Sequence, residues 1–323
     1  MIRIGIVGYG NIGRGVEIAV NAAPDMELVG VFTRRPPKEV SIATPAAGVY
    51  HIDDAFGMAD KIDVMILCGG SATDLPEQGP LFASKFCTVD SFDTHAKIPG
   101  YFASVDAQAV NKTSIISVGW DPGLFSIIRM LSGAVLPVGE DYTFWGKGVS
   151  QGHSDAIRRV KGVKNGIQYT VPIDSAIDAV RSGANPALST REKHLRDCYV
   201  VLEEGADASA VENAIVSMPN YFADYETKVT FITEEELKRD HSAMPHGGFV
   251  FRSGETGSGN KHIIEFGIKL DSNPEFTSSV LVAYARAAHR LCAEGSFGAK
   301  TVFDVPLSYL SDKSGEELRK ILL

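Results

Sequence analysis

A glycine-rich turn near the start of the chain restricts the fold more than any other feature. Ile2 to Val7 is an apolar run interrupted only by Arg3, as expected for a buried parallel strand. It leads into Gly8-Tyr9-Gly10-Asn11-Ile12-Gly13, after which a helical pattern continues to Ala22. In a strand–turn–helix unit these glycines allow a tight turn, close approach of a pyrophosphate and close helix–strand packing, while the helix N-terminus offers N–H groups to the phosphates. The pattern predicts a dinucleotide-binding site at these six residues.

The end of the second strand indicates which dinucleotide is bound. A site for NAD places Asp or Glu there to accept hydrogen bonds from the ribose hydroxyls. This chain has Thr33, Arg34 and Arg35 instead, and Asp25 and Glu27 come too early, at the entrance of the strand. Because a guanidinium grips phosphate with a planar fork, the segment favours the 2′-phosphate of NADP. Two solvated surface arginines are the alternative interpretation.

Three later strand ends are rich in glycine, hydroxyl or carboxylate groups: Gly69 to Thr73, Asp90 to Asp93 and Gly119 to Gly123. Strand and helix patterns alternate up to Val118, which predicts an α/β fold with a Rossmann-type, doubly wound parallel sheet. Ligands of such sheets lie beyond the carboxyl ends of the strands. We therefore expect the cofactor also to contact the residues at these ends: Cys68, Gly69, Gly70, Ser71, Ala72, Thr73, Ser91, Phe92, Gly119, Trp120, Asp121, Pro122 and Gly123.

The pattern changes after Pro122-Gly123, where strand-like stretches become longer and alternate. In His262–Leu270, for example, apolar residues face one side and Glu265 and Lys269 the other. We expect a second, α+β domain on a mixed sheet with few helices. The predicted division is 1–120 for the nucleotide-binding domain, completed by helices within 275–323, and 121–274 for a substrate-binding domain.

Composition excludes several classes of partner. A net charge of −9 without a basic run argues against nucleic acid and against an anionic membrane. The chain opens directly on a strand and has no apolar stretch of membrane-spanning length, so we expect neither a signal peptide nor a membrane span. Its four cysteines lack metal-ligand spacing, which indicates free thiols in a reducing cytoplasm and no metal site: Cys68, Cys87, Cys198 and Cys292.

Three segments of the second half combine glycine with uncommon polar groups: Thr143 to Asp155, Met244 to Gly248 and Leu270 to Phe276. Each alone could be an ordinary turn. Together with the first half, however, they make the chain resemble the meso-diaminopimelate dehydrogenase family. The resemblance rests on these segments: Ile6 to Arg14, Gly70 to Asp74, Gly119 to Gly123, Thr143 to Gly146, Ser150 to Ala156, Met244 to Gly248 and Asn273-Pro274.

This resemblance implies an NADP-dependent, reversible oxidative deamination of meso-2,6-diaminopimelate at its D-configured carbon. The products would be L-2-amino-6-oxopimelate, in equilibrium with cyclic tetrahydrodipicolinate, together with ammonia and NADPH. Such an enzyme belongs to lysine biosynthesis. Members of the family are homodimers, so the resemblance also implies a homodimer, with the second domain providing dimerisation.

The resemblance also assigns roles to residues. Asp93 and Asp121 would face the ammonium group of the D-centre, and either could accept its proton, with His153 ranked below them as a proton carrier. The D-carboxylate would be oriented by Trp120, Gln151 and Gly152. The L-centre would be bound by Arg196, as a bidentate carboxylate clamp, with an apolar wall and polar partners: Trp145, Thr170, His246 and Asn273.

Structural alternatives stay open for three of these residues. Asp121 could cap a turn, Asp93 could pair with Lys97, and Arg196 could pair with Asp197 or Glu192. Two functional alternatives also remain. Another Rossmann reductase, such as a dihydrodipicolinate reductase or a sugar oxidoreductase, would carry a His-His-x-x-Lys or a Glu-Lys-Pro motif, both of which are absent. A sensor that binds NADP(H) without turnover would need neither aspartate.

Overall fold

The computed structural model describes residues 1–323 as fourteen strands and eleven α-helices. The strands are β1 (Ile2–Val7), β2 (Met26–Thr33), β3 (Gly48–His51), β4 (Val64–Leu67), β5 (Cys87–Asp90), β6 (Thr113–Ile115), β7 (Gly139–Trp145), β8 (Gly148–Val149), β9 (Val163–Pro172), β10 (His194–Leu202), β11 (Glu226–Phe231), β12 (His246–Thr256), β13 (Asn260–Leu270) and β14 (Gly298–Lys300). The helices are α1 (Asn11–Ala22), α2 (Leu75–Ala83), α3 (Ile98–Asp106), α4 (Leu124–Val135), α5 (Gln151–Arg158), α6 (Asp174–Arg181), α7 (Thr190–Lys193), α8 (Ala208–Val216), α9 (Glu234–Asp240), α10 (Asn273–Ala293) and α11 (Gly315–Leu322). The chain divides into two compact units, one formed by 1–127 with 274–323 and the other by 128–273.

The first unit contains a seven-stranded sheet in the order β14-β6-β5-β4-β1-β2-β3, in which every pair is parallel. Successive side chains of its central strands enter different hydrophobic cores, since neighbours on a strand point to opposite faces. In β4, Val64 and Ile66 belong to one core and Met65 and Leu67 to the other. Both faces are therefore covered, and the predicted doubly wound sheet is confirmed.

The C-terminal helix α10 is part of this first unit from Pro274 onward. Ser278 Oγ donates to the carbonyl of Ile12 at 2.8 Å. Further along, Arg286 forms two hydrogen bonds of 2.6 Å with the carboxylate of Asp25. These polar contacts fasten α10 near both ends of α1, because Ile12 lies in its first turn and Asp25 comes three residues after its last residue.

The second unit contains two sheets. One is mixed, in the order β11-β10-β9-β8, with β10 and β11 parallel and the other pairs antiparallel. The other, β13-β12-β7, is antiparallel. The predicted α+β class is confirmed, but the expectation of few helices is wrong. The five helices α5 to α9 are four to nine residues long, too short for a periodic pattern to stand out in a window of about 11–18 residues. No helix in the chain has the length and apolarity needed to span a membrane.

Candidate active site

The glycine-rich turn between β1 and α1 has the backbone that its sequence pattern predicts. Gly8 has φ +87°, in the left-handed region that glycine occupies without a steric penalty. A Cβ on Gly13 would lie 2.2 Å from the carbonyl oxygen of Gly8, so only glycine lets the helix approach this closely. A Cβ on Gly10 would meet nothing within 4 Å. The turn thus leaves open space at Gly10, where a pyrophosphate would approach.

No side chain caps the N-terminus of α1, and its first turn contains no acidic residue. The positive end of the helix dipole is therefore available to an anion. Beside it, the Tyr9 hydroxyl donates to Glu17, whose other oxygen accepts from the amide and the hydroxyl of Thr44, both at 2.7 Å. Burial, together with the hydrogen bond to Glu17, raises the pKa of Tyr9 to about 12, and the network fixes the side chain of the turn.

A cleft of about 390 Å³ opens at this turn. Ten of the residues predicted to bind the cofactor line it: Gly8, Tyr9, Gly10, Asn11, Thr33, Arg34, Arg35, Cys68, Gly69 and Gly70. Four lining residues were missed by the sequence prediction: Arg14, Ile52, Asp74 and Gln78. Of these, Asp74 and Gln78 are one helical turn apart at the start of α2, a spacing that could have indicated a shared face.

The two arginines after β2 are held at this cleft by different partners. Arg34 forms an ion pair of 2.8 Å with Asp74 and remains largely exposed. Arg35 donates to the carbonyl of Tyr9 at 2.6 Å, and its own amide donates to Thr33 Oγ1 at 3.1 Å. Both arginines line the cleft, Arg34 at its exposed rim, and their charges suit a phosphate bound there.

The remaining predicted cofactor residues do not line the cleft. Ile12 and Gly13 lie within α1, and Ser71, Ala72 and Thr73 form the turn before α2, where the amide of Thr73 donates to the carbonyl of Gly70 at 3.3 Å. The others belong to loops after β5 and β6: Ser91, Phe92, Gly119, Trp120, Asp121, Pro122 and Gly123.

The loop after β5 carries Asp93, which is exposed. Its amide donates to Ser71 Oγ at 2.9 Å, which ties this loop to the turn before α2. The carboxylate of Asp93 forms no ion pair with Lys97, so the structural alternative for this residue does not hold. Asp93 is thus a carboxylate presented beyond the carboxyl end of the sheet.

The loop after β6 is a closed turn that carries Trp120 and Asp121. The amides of Leu124 and Phe125 donate to the carbonyls of Gly119 and Trp120, at 3.0 and 2.8 Å. Gly123 has φ +133°, and a Cβ there would lie 1.8 Å from the carbonyl oxygen of Gly119. The Trp120 ring is buried edge-on against Phe125, with 5.3 Å between centroids.

In the second unit, the guanidinium of Arg196 is buried without an acidic partner. Arg196 is 6% exposed, donates to Thr170 Oγ1 on the adjacent strand, and stacks 3.7 Å from the ring centroid of Tyr225. Its Nε has no hydrogen-bond partner. Glu192 instead caps α7 through Ser189.

Asp197, the other suggested partner of Arg196, accepts a hydrogen bond from the Tyr199 hydroxyl at 3.1 Å. Neither proposed salt bridge of Arg196 is therefore present. Burial lowers the pKa of the Arg196 guanidinium, because no carboxylate compensates for its desolvation. A buried cation without a counter-ion is the kind of group that an anionic ligand satisfies.

Two histidines near Arg196 are neutral. Burial, together with the charge of Arg196, lowers the pKa of His153 to about 4 and that of His194 to about 3. His194 Nε2 accepts a hydrogen bond of 2.8 Å from the amide of Trp145, and their rings stack. His153 Nδ1 lies 2.8 Å from Ser150 Oγ, while its Nε2 is buried without a partner. His153 thus has one unused hydrogen-bonding atom.

Gln151, Gly152 and His153 lie in the first turn of α5 rather than in a loop. Gln151 Nε2 contacts Met244 Sδ at 3.5 Å, and the carbonyl of Met244 accepts from the amide of Asn273 at 2.9 Å. His246 packs against Gly148, where a Cβ would lie 2.4 Å from the imidazole. These contacts bring the start of α5 together with Met244 and Asn273, and place His246 beside β8.

Sequence reasoning missed three neighbours of Arg196 within this unit: Gln168, His194 and Tyr225. Gln168 and His194 share the side of the sheet with Thr170 and Arg196, since each lies two residues from one of them along a strand. That alternation was readable from the strand pattern. Tyr225 comes from a distant segment that no sequence spacing indicates.

Comparison with known proteins places this geometry in a family. The family described as "Diaminopimelic acid dehydrogenase C-terminal domain" matches residues 119–272. A meso-diaminopimelate D-dehydrogenase from Ureibacillus thermosphaericus is 67% identical over 324 residues, covering 100% of this chain and 99% of the relative. The crystal structure of a meso-DAP dehydrogenase mutant from Clostridium tetani E88 with DAP is 57% identical, covers 100% of both chains and has a TM-score of 0.95.

A third similar protein is an engineered D-amino acid dehydrogenase bound to NADP⁺. It is 42% identical, with coverage of 100% of this chain and 99% of the other, and a TM-score of 0.87. The resemblance inferred from the sequence motifs is therefore confirmed over the full length. Because the chain is 67% identical to the Ureibacillus thermosphaericus enzyme over its whole length, this protein belongs to the meso-diaminopimelate D-dehydrogenase family, and it is an oxidoreductase that acts on CH–NH2 groups.

Proposed function

We propose that this enzyme catalyses the NADP-dependent oxidative deamination of meso-2,6-diaminopimelate at its D-centre. The substrate, water and NADP⁺ would yield L-2-amino-6-oxopimelate, ammonia (released as ammonium), NADPH and a proton; the reaction is reversible and belongs to lysine biosynthesis. The observation that carries this proposal is Arg196, a buried guanidinium with no anionic partner in its own chain. A dicarboxylate such as diaminopimelate supplies that anion with the carboxylate that does not react.

Arg196 and its neighbours would select the chain length and the configuration of the substrate. Its fork, held by Thr170 and the Tyr225 ring, offers donors in a fixed plane to a carboxylate. His246 and Asn273 would complete the binding of the L-centre, and Trp145 would form its apolar wall. An analogue without the distal carboxylate would leave the guanidinium unpaired, so the discrimination against it should be strong.

Asp93 and Asp121 would bind the ammonium group of the D-centre and accept its proton. Loss of that proton would give the nitrogen the lone pair that expels the α-hydrogen as hydride, and NADP⁺, when bound, would supply the hydride acceptor. Water then replaces the nitrogen on the substrate carbon, releasing ammonia. The D-carboxylate would be oriented by Trp120, Gln151 and Gly152, so that positioning is the main contribution of the protein.

His153 would act as a neutral hydrogen-bonding group rather than as the base. Burial and the charge of Arg196 lower the pKa of His153 to about 4, so the imidazole is neutral at pH 7, and its Nδ1 lies 2.8 Å from Ser150 Oγ. Its Nε2 is buried and the ring packs against Tyr221 and Phe222, which argues against proton transfer through that nitrogen.

NADP, rather than NAD, is the proposed cofactor. The cleft at the end of β2 contains Arg34 and Arg35 and presents no carboxylate from that strand end to the ribose hydroxyls. Asp74 is engaged by Arg34 and by the amide of Gly70, at 2.8 Å in each case. The positive charge available to a 2′-phosphate therefore comes from Arg34 and Arg35.

A homodimer in the cytoplasm is the proposed form of the enzyme. Four apolar side chains in and after α4 are about half exposed or more: Met130, Leu131, Val135 and Val138. A second copy of the chain would cover them. All four cysteines are free thiols, which suits a reducing compartment. Sedimentation of the wild type and of Val135→Glu tests the assembly, since the charged variant should shift toward monomer.

The proposed reaction is tested by following NADPH absorbance at alkaline pH with NADP⁺ and, separately, meso-, LL- and DD-diaminopimelate. Turnover of the meso isomer alone is expected, because only it combines a D-centre with an L-centre. A protein that binds NADPH but turns over none of the isomers would instead be the sensor considered above.

A further inference from the structure

Asp90, the last residue of β5, is a carboxylate buried in the nucleotide-binding unit and is 1% exposed. It lies outside the cofactor cleft, and none of the roles proposed above involves it. No cation is bonded to its side chain: the groups that donate to it are the Tyr101 hydroxyl and two backbone amides. A buried carboxylate held without a cation needs a structural or functional reason.

The two amides come from the two loops that carry the candidate catalytic aspartates. Oδ1 of Asp90 accepts from the amide of Phe92 at 2.9 Å and from that of Ser117 at 3.2 Å. Phe92 directly precedes Asp93, and Ser117 lies four residues before Asp121. The backbone carbonyl of Asp90 also accepts from the amide of Val118, at 2.8 Å. One residue therefore binds both loops where they leave adjacent strands of the sheet.

Two features indicate that this arrangement is built into the fold. Ser117 has φ +57°, a left-handed conformation that is uncommon for a non-glycine residue, and its amide is held there by the carboxylate. On the other side, Tyr101 donates to Asp90 Oδ2 at 2.7 Å and stacks on Phe92. Gly79 of α2 leaves the space for this tyrosine, since a Cβ there would lie 2.0 Å from its hydroxyl.

The side chain is charged at the pH where the enzyme is assayed. Burial raises the pKa of Asp90 to about 6, while the bonds from Tyr101, Phe92 and Ser117 lower it. Above that pH both oxygens accept, so all three hydrogen bonds are charge-assisted and strong. Loss of the carboxylate would leave two loop amides in a buried site without an acceptor.

We infer that Asp90 is a positioning residue for the reaction, which holds the loops of Asp93 and Asp121 in the relative placement that the D-centre requires. The inference rests on the proposed function of those two aspartates. Because Asp90 touches neither the cleft nor the proposed substrate groups, its loss should lower kcat and leave cofactor affinity unchanged.

The test compares Asp90→Ala with Tyr101→Phe as a matched control. Both remove a hydrogen bond from the same buried site, but only the first releases the loop amides. At saturating meso-diaminopimelate and NADP⁺ we expect kcat to fall at least tenfold in Asp90→Ala and less than twofold in Tyr101→Phe, with the Kd of NADP⁺ within twofold in both. If Asp90→Ala does not fold, the same assay is carried out on Asp90→Asn. Its uncharged amide should lower kcat about threefold.

Hydrogen exchange of the NADP⁺ complex provides a readout that does not depend on turnover. Peptides covering 91–94 and 117–121 should exchange at least tenfold faster in Asp90→Ala than in the wild type, and unchanged in Tyr101→Phe. Unchanged kcat in a folded Asp90 variant, unchanged exchange, or equal losses in Asp90→Ala and Tyr101→Phe would each overturn the inference. If the wild type shows no turnover but Asp90→Ala still exchanges faster, the proposed function and the positioning role of Asp90 in the reaction are both overturned. The contact between Asp90 and the two loops would then stand as a structural one.

Discussion

Replacement of Arg196 by methionine should raise stability and remove substrate binding at the same time. In the free enzyme the guanidinium is 6% exposed, lacks a carboxylate partner, and has one nitrogen without any hydrogen bond. Methionine has a similar length, stays apolar and can pack against Tyr225. Removing such a charge should raise the free energy of unfolding by about 1–4 kcal/mol. Loss of the hydrogen bond to Thr170 offsets about 1 kcal/mol of this gain. The net gain of about 0–3 kcal/mol corresponds to an increase in Tm of up to about 6 °C, at about 2 °C per kcal/mol for a chain of this size.

Binding should change in the opposite direction. Loss of one partner of a buried, hydrogen-bonded charge pair costs about 3–5 kcal/mol, which corresponds to an increase in the KM for meso-diaminopimelate of at least about 10²-fold. D-Lysine is the matched substrate, because it is diaminopimelate without the distal carboxylate. Any activity with D-lysine should change little in Arg196→Met, so the preference for diaminopimelate should collapse.

The assay combines thermal unfolding of the free protein with initial rates on both substrates. Arg196→Lys is the control, since it keeps the charge but not the planar fork; it should raise the KM for diaminopimelate without raising Tm. The Kd of NADP⁺ should stay within twofold in both variants. A lower Tm in Arg196→Met together with an unchanged KM would refute the reasoning, as would a parallel loss of NADP⁺ affinity.

Three further predictions concern the cofactor cleft and pH. Arg34→Ala should weaken NADP⁺ binding about tenfold or more while leaving NAD⁺ binding unchanged, as measured by fluorescence titration; equal losses for both would contradict a contact with the 2′-phosphate. Gly10→Ala should keep the Tm of the free protein but weaken NADP⁺ binding, whereas Gly13→Ala should lower Tm, because its Cβ meets a carbonyl at 2.2 Å; a reversed order would refute these roles. Since the folded-state pKa of His194 is depressed to about 3, its stabilisation is complete above pH 6.5 and is lost as pH falls toward 3. Between pH 7 and pH 4 the free energy of unfolding, measured with urea, should fall by about 3 kcal/mol less in His194→Gln than in the wild type. Equal decreases in the two proteins would exclude this histidine as the cause.

The sequence predicted most closely those parts of the site that are local in the chain. The turn at residues 8–13 and the segment Thr33 to Arg35 follow one another within a single strand–helix–strand unit, and all but two of these nine residues line the cleft. The helical turn containing Gln151 was interpreted as a loop, because eight residues give too few repeats of a helical period. Asp74 belongs to the segment Gly70 to Asp74 that carries the family resemblance. Its ion pair with Arg34 was not predicted, because the two residues are forty positions apart in the sequence.

By itself, then, the sequence determined the alternation of strands and helices, the glycines that a tight turn requires, and the charge at the end of β2. These follow from backbone sterics and side-chain periodicity, which act between near neighbours. Only the tertiary structure decided which polar groups lack partners. Arg196 had two acidic residues within four positions, but the alternation of β10 and the cap of α7 direct both elsewhere. Asp90 acquires its role because parallel pairing brings the ends of β5 and β6 side by side. Hydrogen-bond satisfaction in a buried site depends on every segment that packs there, and no single stretch of sequence contains that information.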